Sequence, residues 1–327
     1  MALSLQDVVF RYMEQGKRNI LNHVNLDIPA GSVTVLMGAG GCGKSTLAAV
    51  AAGLYPENGG FLAAGQIFWF GQALTDMNPQ QRARQVSMLF QNLDLQFCMD
   101  TLRKEMRFCM ENLCLDPALM DPRIEAAAAE LGVQALLDQP LHTLSGGEKR
   151  QVAGDGGEKQ RAALACLYVM ESRCLLLDEC FANLDRDASL QLMDMLRHMH
   201  QQGRTILAID HQPDLWLDTA EEFILLGEGG QVAARGLNKK NLTQYRSLFD
   251  ELGLFYPQAP LPHHPSQDEG ASILCFEEVS IAKGEARRSM FGRKNVPTSL
   301  LLDRAQAQFP KGAVTAVLGP SGCGKTT

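Results

Sequence analysis

Gly38-Ala39-Gly40-Gly41-Cys42-Gly43-Lys44-Ser45 fits the pattern G-x-x-x-x-G-K-[ST] in full, and its setting narrows what the chain can fold into. Residues 32–37 before it read as an apolar strand, and residues 44–54 after it read as a helix. A glycine-rich turn between a strand and a helix lets backbone N–H groups approach a phosphate closely and aims the positive end of the helix at it. Lys44 is then expected to reach the outer phosphates and the Ser45 hydroxyl to ligate Mg²⁺, with Thr46 completing the set of contacts. The pattern recurs at Gly319-Pro320-Ser321-Gly322-Cys323-Gly324-Lys325-Thr326, where Gly319, Gly322, Gly324, Lys325 and Thr326 are the equivalent candidates.

The rest of the chain supplies strands alternating with helices. Strand-like runs occupy residues 2–10, 25–28, 66–70, 174–177 and 205–209, with two more near 222–234. Residues 158–171 and 187–201 read as helices, the latter with apolar residues at 190, 193, 196 and 199. This alternation predicts an α/β fold with a parallel, doubly wound sheet. Residues 78–140 read as a helical block that interrupts it, strongest at 99–112 and 123–137. Four prolines within residues 257–270 mark a linker.

Composition sets bounds. Hydrophobic residues make up 46% of the 327 residues and the net charge is −7, which suits a globular core and gives no basic excess for nucleic acid. The nine cysteines form no C-x-x-C pair, which argues for a reducing compartment over a disulfide framework or a structural zinc site. The N-terminus lacks signal-peptide character, and the apolar runs are far shorter than a membrane span of ~18 residues. Any membrane role would need another chain.

Four further motifs carry chemistry. Cys174-Leu175-Leu176-Leu177-Asp178-Glu179 is an apolar strand ending in two acids. Beside a phosphate loop, the first acid is expected to hold Mg²⁺ and the second to polarise an attacking water. Leu144-Ser145-Gly146-Gly147-Glu148 matches L-S-G-G-[QE], and Leu89-Phe90-Gln91-Asn92 and Asn183-Leu184-Asp185 follow the same order. With these motifs the chain resembles the ABC ATPases over residues 1–255 and again over 273–327.

That resemblance implies a P-loop ATPase core with an antiparallel β subdomain and a helical subdomain at about 92–157. It implies ATP and Mg²⁺ as ligands. It assigns adenine stacking to Tyr12, the γ-phosphate and its water to Gln91 and His211, and the general base to Glu179. Ser45, Asp178 and Gln91 form the implied metal set, and Asp185 lies in the loop that crosses a dimer interface. Ser145, Gly146, Gly147 and Glu148 would serve the nucleotide of a partner cassette. The implied partners are that second cassette and a transmembrane subunit, at the cytoplasmic face of the membrane, with no nucleic acid. Phe90-Gln91-Asn92-Leu93-Asp94-Leu95-Gln96 looks like the F-Q-N-P-x-x-Q stretch of energy-coupling factor importers of vitamins and transition metals, with Leu93 in place of proline.

Two departures stand out. The segment G-G-E-K-R-Q at 146–151 recurs ten positions later as G-G-E-K-Q-R, so two copies compete for one signature site. The helix proper is then expected to begin near Gly156, with the extra residues looped out, because glycines 154, 156 and 157 would each cost a helix interior about 1 kcal/mol. The second cassette, 273–327, reaches its glycine loop but lacks a signature and both acids. The leading expectation is an ATP-hydrolysing transporter subunit. The alternatives are a truncated, hydrolysis-impaired ABC protein that still binds ATP and a non-transport ABC ATPase.

Overall fold

The central parallel strands, at residues 33–38, 174–178 and 205–209, bury every residue on both faces, and this sets the architecture. A computed structural model describes residues 1–16, 18–144, 157–256, 272–283, 299–311 and 315. β1 (Leu3–Arg11) and β2 (Leu21–Ile28) form an antiparallel pair, followed by β3 (Val33–Gly38) and α1 (Lys44–Ala51). β4 (Phe61–Trp69) returns beside β1 and pairs with the short β5 (Gln72–Ala73), giving an antiparallel sheet of order β2-β1-β4-β5.

α2 (Pro79–Gln85) starts on a capping box, with Asn78 and Gln81 each bonding the other's backbone N–H. β6 (Val86–Leu89) follows at once. It corrects the helical reading of residues 78–140, because these four residues join a sheet. α3 (Leu102–Asn112) and α4 (Pro117–Leu131) make the helical block. α4 begins at Pro117 behind an Asp116 cap and stops at Gly132, whose φ of 67° ends the helix earlier than the expected residue 137.

α5 (Glu158–Met170) begins after Gly157 at φ 99°, a backbone conformation incompatible with a right-handed helix running through it. The two copies of the repeated segment up to Gly156 lie outside the described residues. Then come β7 (Cys174–Asp178), α6 (Arg186–Gln201), β8 (Thr205–Ile209), β9 (Glu222–Leu226), β10 (Val232–Leu237) and α7 (Arg246–Glu251).

The second sheet has the order β10-β9-β3-β8-β7-β6, with only β10 antiparallel to its neighbour. Buried on both sides, the parallel strands β3, β7 and β8 read as continuous apolar runs, not as an alternating pattern. Successive residues still point to opposite faces. Val35, Leu175, Ile206 and Phe223 join a core with helical residues such as Met106, Ile124, Leu164 and Leu192. Leu36, Leu176, Leu207 and Ile224 join a second core with Leu47 of α1 and Val8, Phe10 and Trp69 of the antiparallel sheet. Each fully buried large side chain contributes roughly 1.5–3 kcal/mol, so the central sheet is held from both faces. No helix among the described residues is long and apolar enough to cross a membrane.

β11 (Ser272–Lys283) and β12 (Ser299–Pro310) form a hairpin that repeats the β1–β2 pair in backbone detail. Leu3 pairs with Ile28, and Leu274 pairs with Phe309. The left-handed residues Asp7 and His23 have counterparts at the same repeat positions in Glu278 and Arg304, with φ of 54°, 53°, 49° and 46°. The packing differs: Leu3 is fully buried, whereas Leu274 is 47% exposed.

Candidate functional site

Parallel strands place all their carboxyl ends along one edge, and in open α/β sheets ligands bind there. β3 ends at Gly38, β7 at Asp178 and β8 at Ile209, with Asp178 level with Ile209 and Ile209 level with Leu36. β6 ends at Leu89, level with Leu177. The residues after these four ends therefore crowd together.

The turn from β3 into α1 needs its glycines for separate reasons. A Cβ on Gly38 would meet Cys42 Sγ at 2.7 Å and the Leu226 carbonyl at 2.8 Å. Gly41 and Gly43 adopt φ of 77° and 109°, where a side chain is strained. Gly43 is the N-cap of α1 and brings no side chain to it, so no capping side chain takes up the first-turn N–H groups, and a Cβ on Gly40 or Gly41 would meet nothing within 4 Å. Lys44, only 6% exposed, folds back to donate to the Gly38 carbonyl at 2.7 Å and the Ala39 carbonyl at 2.9 Å.

Asp178 faces this loop. Ser45 Oγ donates to its Oδ1 at 3.1 Å. Burial pushes the Asp178 carboxyl above its ordinary value; the Ser45 bond opposes this, while the neighbouring Glu179 adds to it. The folded chain thus holds this proton more tightly than the unfolded chain. The stability it contributes is present at acidic pH and is lost as pH rises through the folded value. At neutral pH the ionised carboxylate is therefore a cost. Asp178→Asn is expected to raise the thermal midpoint of the nucleotide-free chain by a few degrees in calorimetry. A lowered midpoint would show instead that the charge stabilises the loop.

Glu179 has φ of 50°, and its N–H donates to the Ile209 carbonyl at 2.9 Å. A glutamate held in this sparsely populated region marks a position that the surroundings enforce. Its two carboxylate oxygens are met separately, Oε1 by His211 Nε2 at 2.7 Å and Oε2 by Gln91 Nε2 at 2.6 Å. Gln91 sits just beyond β6 and His211 just beyond β8, so the order β6-β7-β8 brings the three residues into line.

Asp210 is buried and was not among the sequence candidates. It accepts from Trp216 Nε1 at 2.8 Å and from the Gln212 N–H at 2.9 Å, and burial pushes its carboxyl up against these bonds. It fixes the turn that presents His211. An Asp bonding the N–H two residues on, ahead of Pro213, was the available signal.

Tyr12 lies at the end of β1, 50% exposed, with its hydroxyl 2.8 Å from Thr46 Oγ1 and its ring edge-on to Phe10 and Tyr55. Asp185 caps α6, accepting from the Ala188 N–H at 2.9 Å. Ser145, Gly146, Gly147 and Glu148 lie outside the described residues, as do Gly319, Gly322, Gly324, Lys325 and Thr326.

An uncapped helix N-terminus, a buried lysine, and a hydroxyl bonded to a buried carboxylate suit a nucleotide phosphate with a hard, oxygen-seeking cation. Fold and loop together define a P-loop α/β cassette.

A family model described as ABC transporter matches residues 21–153. The chain is 32% identical to the energy-coupling factor transporter ATP-binding protein EcfA1 of Bacillus subtilis, over 72% of this chain and 78% of that protein. It is 28% identical to the putative HMP/thiamine import ATP-binding protein YkoD of the same organism, over 99% of this chain and 60% of that protein. Among solved structures it is similar to cbiO1 from Clostridium perfringens, part of the ABC transporter complex cbiONQ. That match has a TM-score of 0.62 at 25% identity and covers 77% of this chain and 94% of the other. The chain belongs to the ATP-binding protein family of ABC transporters. It spans 60% of the length of the relative that it matches from end to end.

Proposed function

We propose that the chain binds and hydrolyses ATP to drive uptake of a small solute or ion through a separate membrane subunit, from a peripheral position at the cytoplasmic face. The observation that carries this reading is the Glu179 carboxylate. It is held by Gln91 and His211 directly beside the Ser45–Asp178 pair and the glycine loop. The names of two relatives, an HMP/thiamine import ATP-binding protein and an energy-coupling factor transporter ATP-binding protein, support the direction and class of transport.

In this reading residues 1–255 are one cassette, 256–272 a linker and 273–327 the start of a second cassette. The β11–β12 repeat supports that division. Residues 38–46 bind the triphosphate, with Lys44 exchanging its two carbonyl partners for phosphate oxygens. Mg²⁺, when bound, supplies positive charge to those oxygens, and Ser45, Asp178 and Gln91 would hold it. Glu179 accepts the proton of the attacking water, and His211 and Gln91 orient that carboxylate. The Ser145–Glu148 segment and Asp185 serve the interface with a second cassette, which is a copy of this chain or a paralogue.

Tyr12 stacks on the adenine. Tyr12→Ala is expected to weaken ATP binding by roughly 3- to 10-fold, as losing one aromatic contact of about 0.5–1.5 kcal/mol implies. Equal affinity for ATP and GTP in the wild-type chain, unchanged in the variant, would remove that role.

The experiment that tests the function is MgATP turnover by the purified chain across a range of protein concentrations. Turnover rising faster than linearly supports a working site shared between two chains. ATP binding without turnover at any concentration favours the hydrolysis-impaired reading, which the repeated signature segment motivates.

A further inference from the structure

His211 reaches Glu179 from a turn beyond β8, and its aim depends on what holds that turn. The side chain is 39% exposed, and among the described residues Glu179 Oε1, 2.7 Å from Nε2, is the partner its ring bonds. Packing around the imidazole therefore does little to fix it. The residue before it does more. Asp210 is 5% exposed, and its N–H donates to the Leu36 carbonyl at 3.3 Å, which anchors it to β3. Its two carboxylate oxygens are used separately. Oδ1 accepts from the Gln212 N–H at 2.9 Å, and Oδ2 accepts from Trp216 Nε1 at 2.8 Å. An Asp that bonds the N–H two residues on fixes the backbone of the residue between them, here His211.

Trp216 carries the contact further. It ends the short helical turn Pro213–Trp216 and is fully buried. Its ring meets the Phe181 ring edge-on, with centroids 5.4 Å apart and planes at 67°. Phe181, itself buried, stands two residues past Glu179. The stretch between and beyond them is tightly wound. The Ala182 N–H donates to the Glu179 carbonyl at 3.0 Å, and the Leu184 N–H donates to the Phe181 carbonyl at 3.2 Å. Leu184 in turn closes on the start of α5, where a Cβ on Gly157 would meet its Cδ2 at 3.2 Å. Contacts thus run from the turn of His211 through Asp210, Trp216 and Phe181 to the stretch that begins at Glu179.

Given the roles proposed above for Glu179 and His211, we propose that Asp210 and Trp216 are positioning residues for hydrolysis. The Asp210–Trp216 bond and the Trp216–Phe181 ring contact lock the turn bearing His211 to the turn bearing Glu179, so that imidazole and carboxylate stay aligned. Among the described residues, neither the Asp210 nor the Trp216 side chain bonds the glycine loop. Losing the bridge therefore disturbs the alignment of the base and leaves the grip on nucleotide intact. The bulk of Trp216 does not supply the bridge by itself. Phenylalanine there keeps a ring against Phe181 but removes the N–H, and Asp210 Oδ2 loses its partner. In Asp210→Asn the amide nitrogen faces either the indole N–H or the Gln212 N–H, so one of the two bonds is lost. Aromatic pairs prefer defined geometries, so the Phe181 contact transmits orientation as well as filling space.

Two measurements on the full chain test this. In MgATP turnover, Trp216→Phe and Asp210→Asn are each expected to lower kcat about 10- to 100-fold while KM and ATP affinity stay within about twofold of wild type, since a misplacement of ~1 Å can cost this much in rate. In the nucleotide-free chain, the ring-nitrogen NMR spectrum of histidine reads the His211–Glu179 contact directly, with the His211 signal identified by its absence in His211→Gln. Both variants are expected to move that signal toward the position it takes in Glu179→Ala, where the partner is gone. A loss of stability alone would weaken the signal and leave its position unchanged. If Trp216→Phe does not fold, Asp210→Asn carries both measurements. The proposal is overturned if the His211 signal keeps its wild-type position in the folded variants, or if KM rises while kcat holds. A wild type that binds ATP without turnover, with the signal displaced in both variants, supports the bridge and rejects instead the hydrolytic role given to Glu179.

Discussion

Lys44→Ala is expected to lower ATP affinity by about 100-fold or more while leaving the cassette folded. Lys44 carries its charge on a side chain only 6% exposed, with Nζ within 3 Å of two loop carbonyls. Those carbonyls hold the ammonium at the mouth of the uncapped α1 N-terminus, where a triphosphate would lie. Charge-assisted hydrogen bonds contribute about 1.5–3 kcal/mol each, and about 1.4 kcal/mol is tenfold in affinity. Loss of one or two such bonds thus accounts for the expected drop. Alanine is the best helix former, so position 1 of α1 tolerates it. Calorimetric titration measures the effect, with circular dichroism as the check on folding. An unchanged affinity would show that the loop binds phosphate through its backbone alone, and the proposed role of Lys44 would fall.

How legible this site was depends on what each part requires of sequence. The glycine loop needs fixed residue types at fixed spacing, because Gly38 has no room for a Cβ and Gly41 and Gly43 have positive φ. A contiguous motif records such constraints directly. The Gln91–Glu179–His211 cluster is different. Its members are far apart in the chain, and only the order β6-β7-β8 aligns them. Nothing in local composition encodes that order, and the resemblance alone suggested the three residues belong together. β6 escaped detection because Val86-Ser87-Met88-Leu89 is a short apolar run between helical stretches, where periodicity cannot separate strand from helix. What makes it a strand is its pairing with β7. Asp210 was missed for a related reason: its partner Trp216 reaches it only after the chain turns through Pro213. The hairpin β11–β12 is the opposite case. Its repeat of β1–β2 extends to two left-handed residues in each copy, so a similarity read from letters reappears as backbone geometry.

Glu179→Gln is expected to cut MgATP turnover by roughly 10²- to 10⁴-fold, the usual contribution of a positioned general base, with ATP affinity little changed. The substitution keeps the side chain's length and shape. Gln91 and His211 still find one acceptor oxygen between them, so the fold of the three strand ends should hold. What is lost is a charged oxygen able to take a proton from water. The amide nitrogen also faces a donor where the carboxylate met it with an acceptor, which weakens the alignment of His211 or Gln91 further. Comparison with Asp178→Asn separates the two acids. Loss at Asp178 should weaken the response of nucleotide binding to Mg²⁺, whereas loss at Glu179 should leave that response intact and remove hydrolysis. If two chains close around ATP, the Glu179→Gln protein should also remain dimeric for longer in MgATP than the wild type, because the step that opens the pair is blocked. Size-exclusion chromatography in MgATP reads this directly. Full turnover in Glu179→Gln would move the base elsewhere on the edge formed by β6, β7 and β8, with His211 the next candidate in hydrogen-bond reach of the same water.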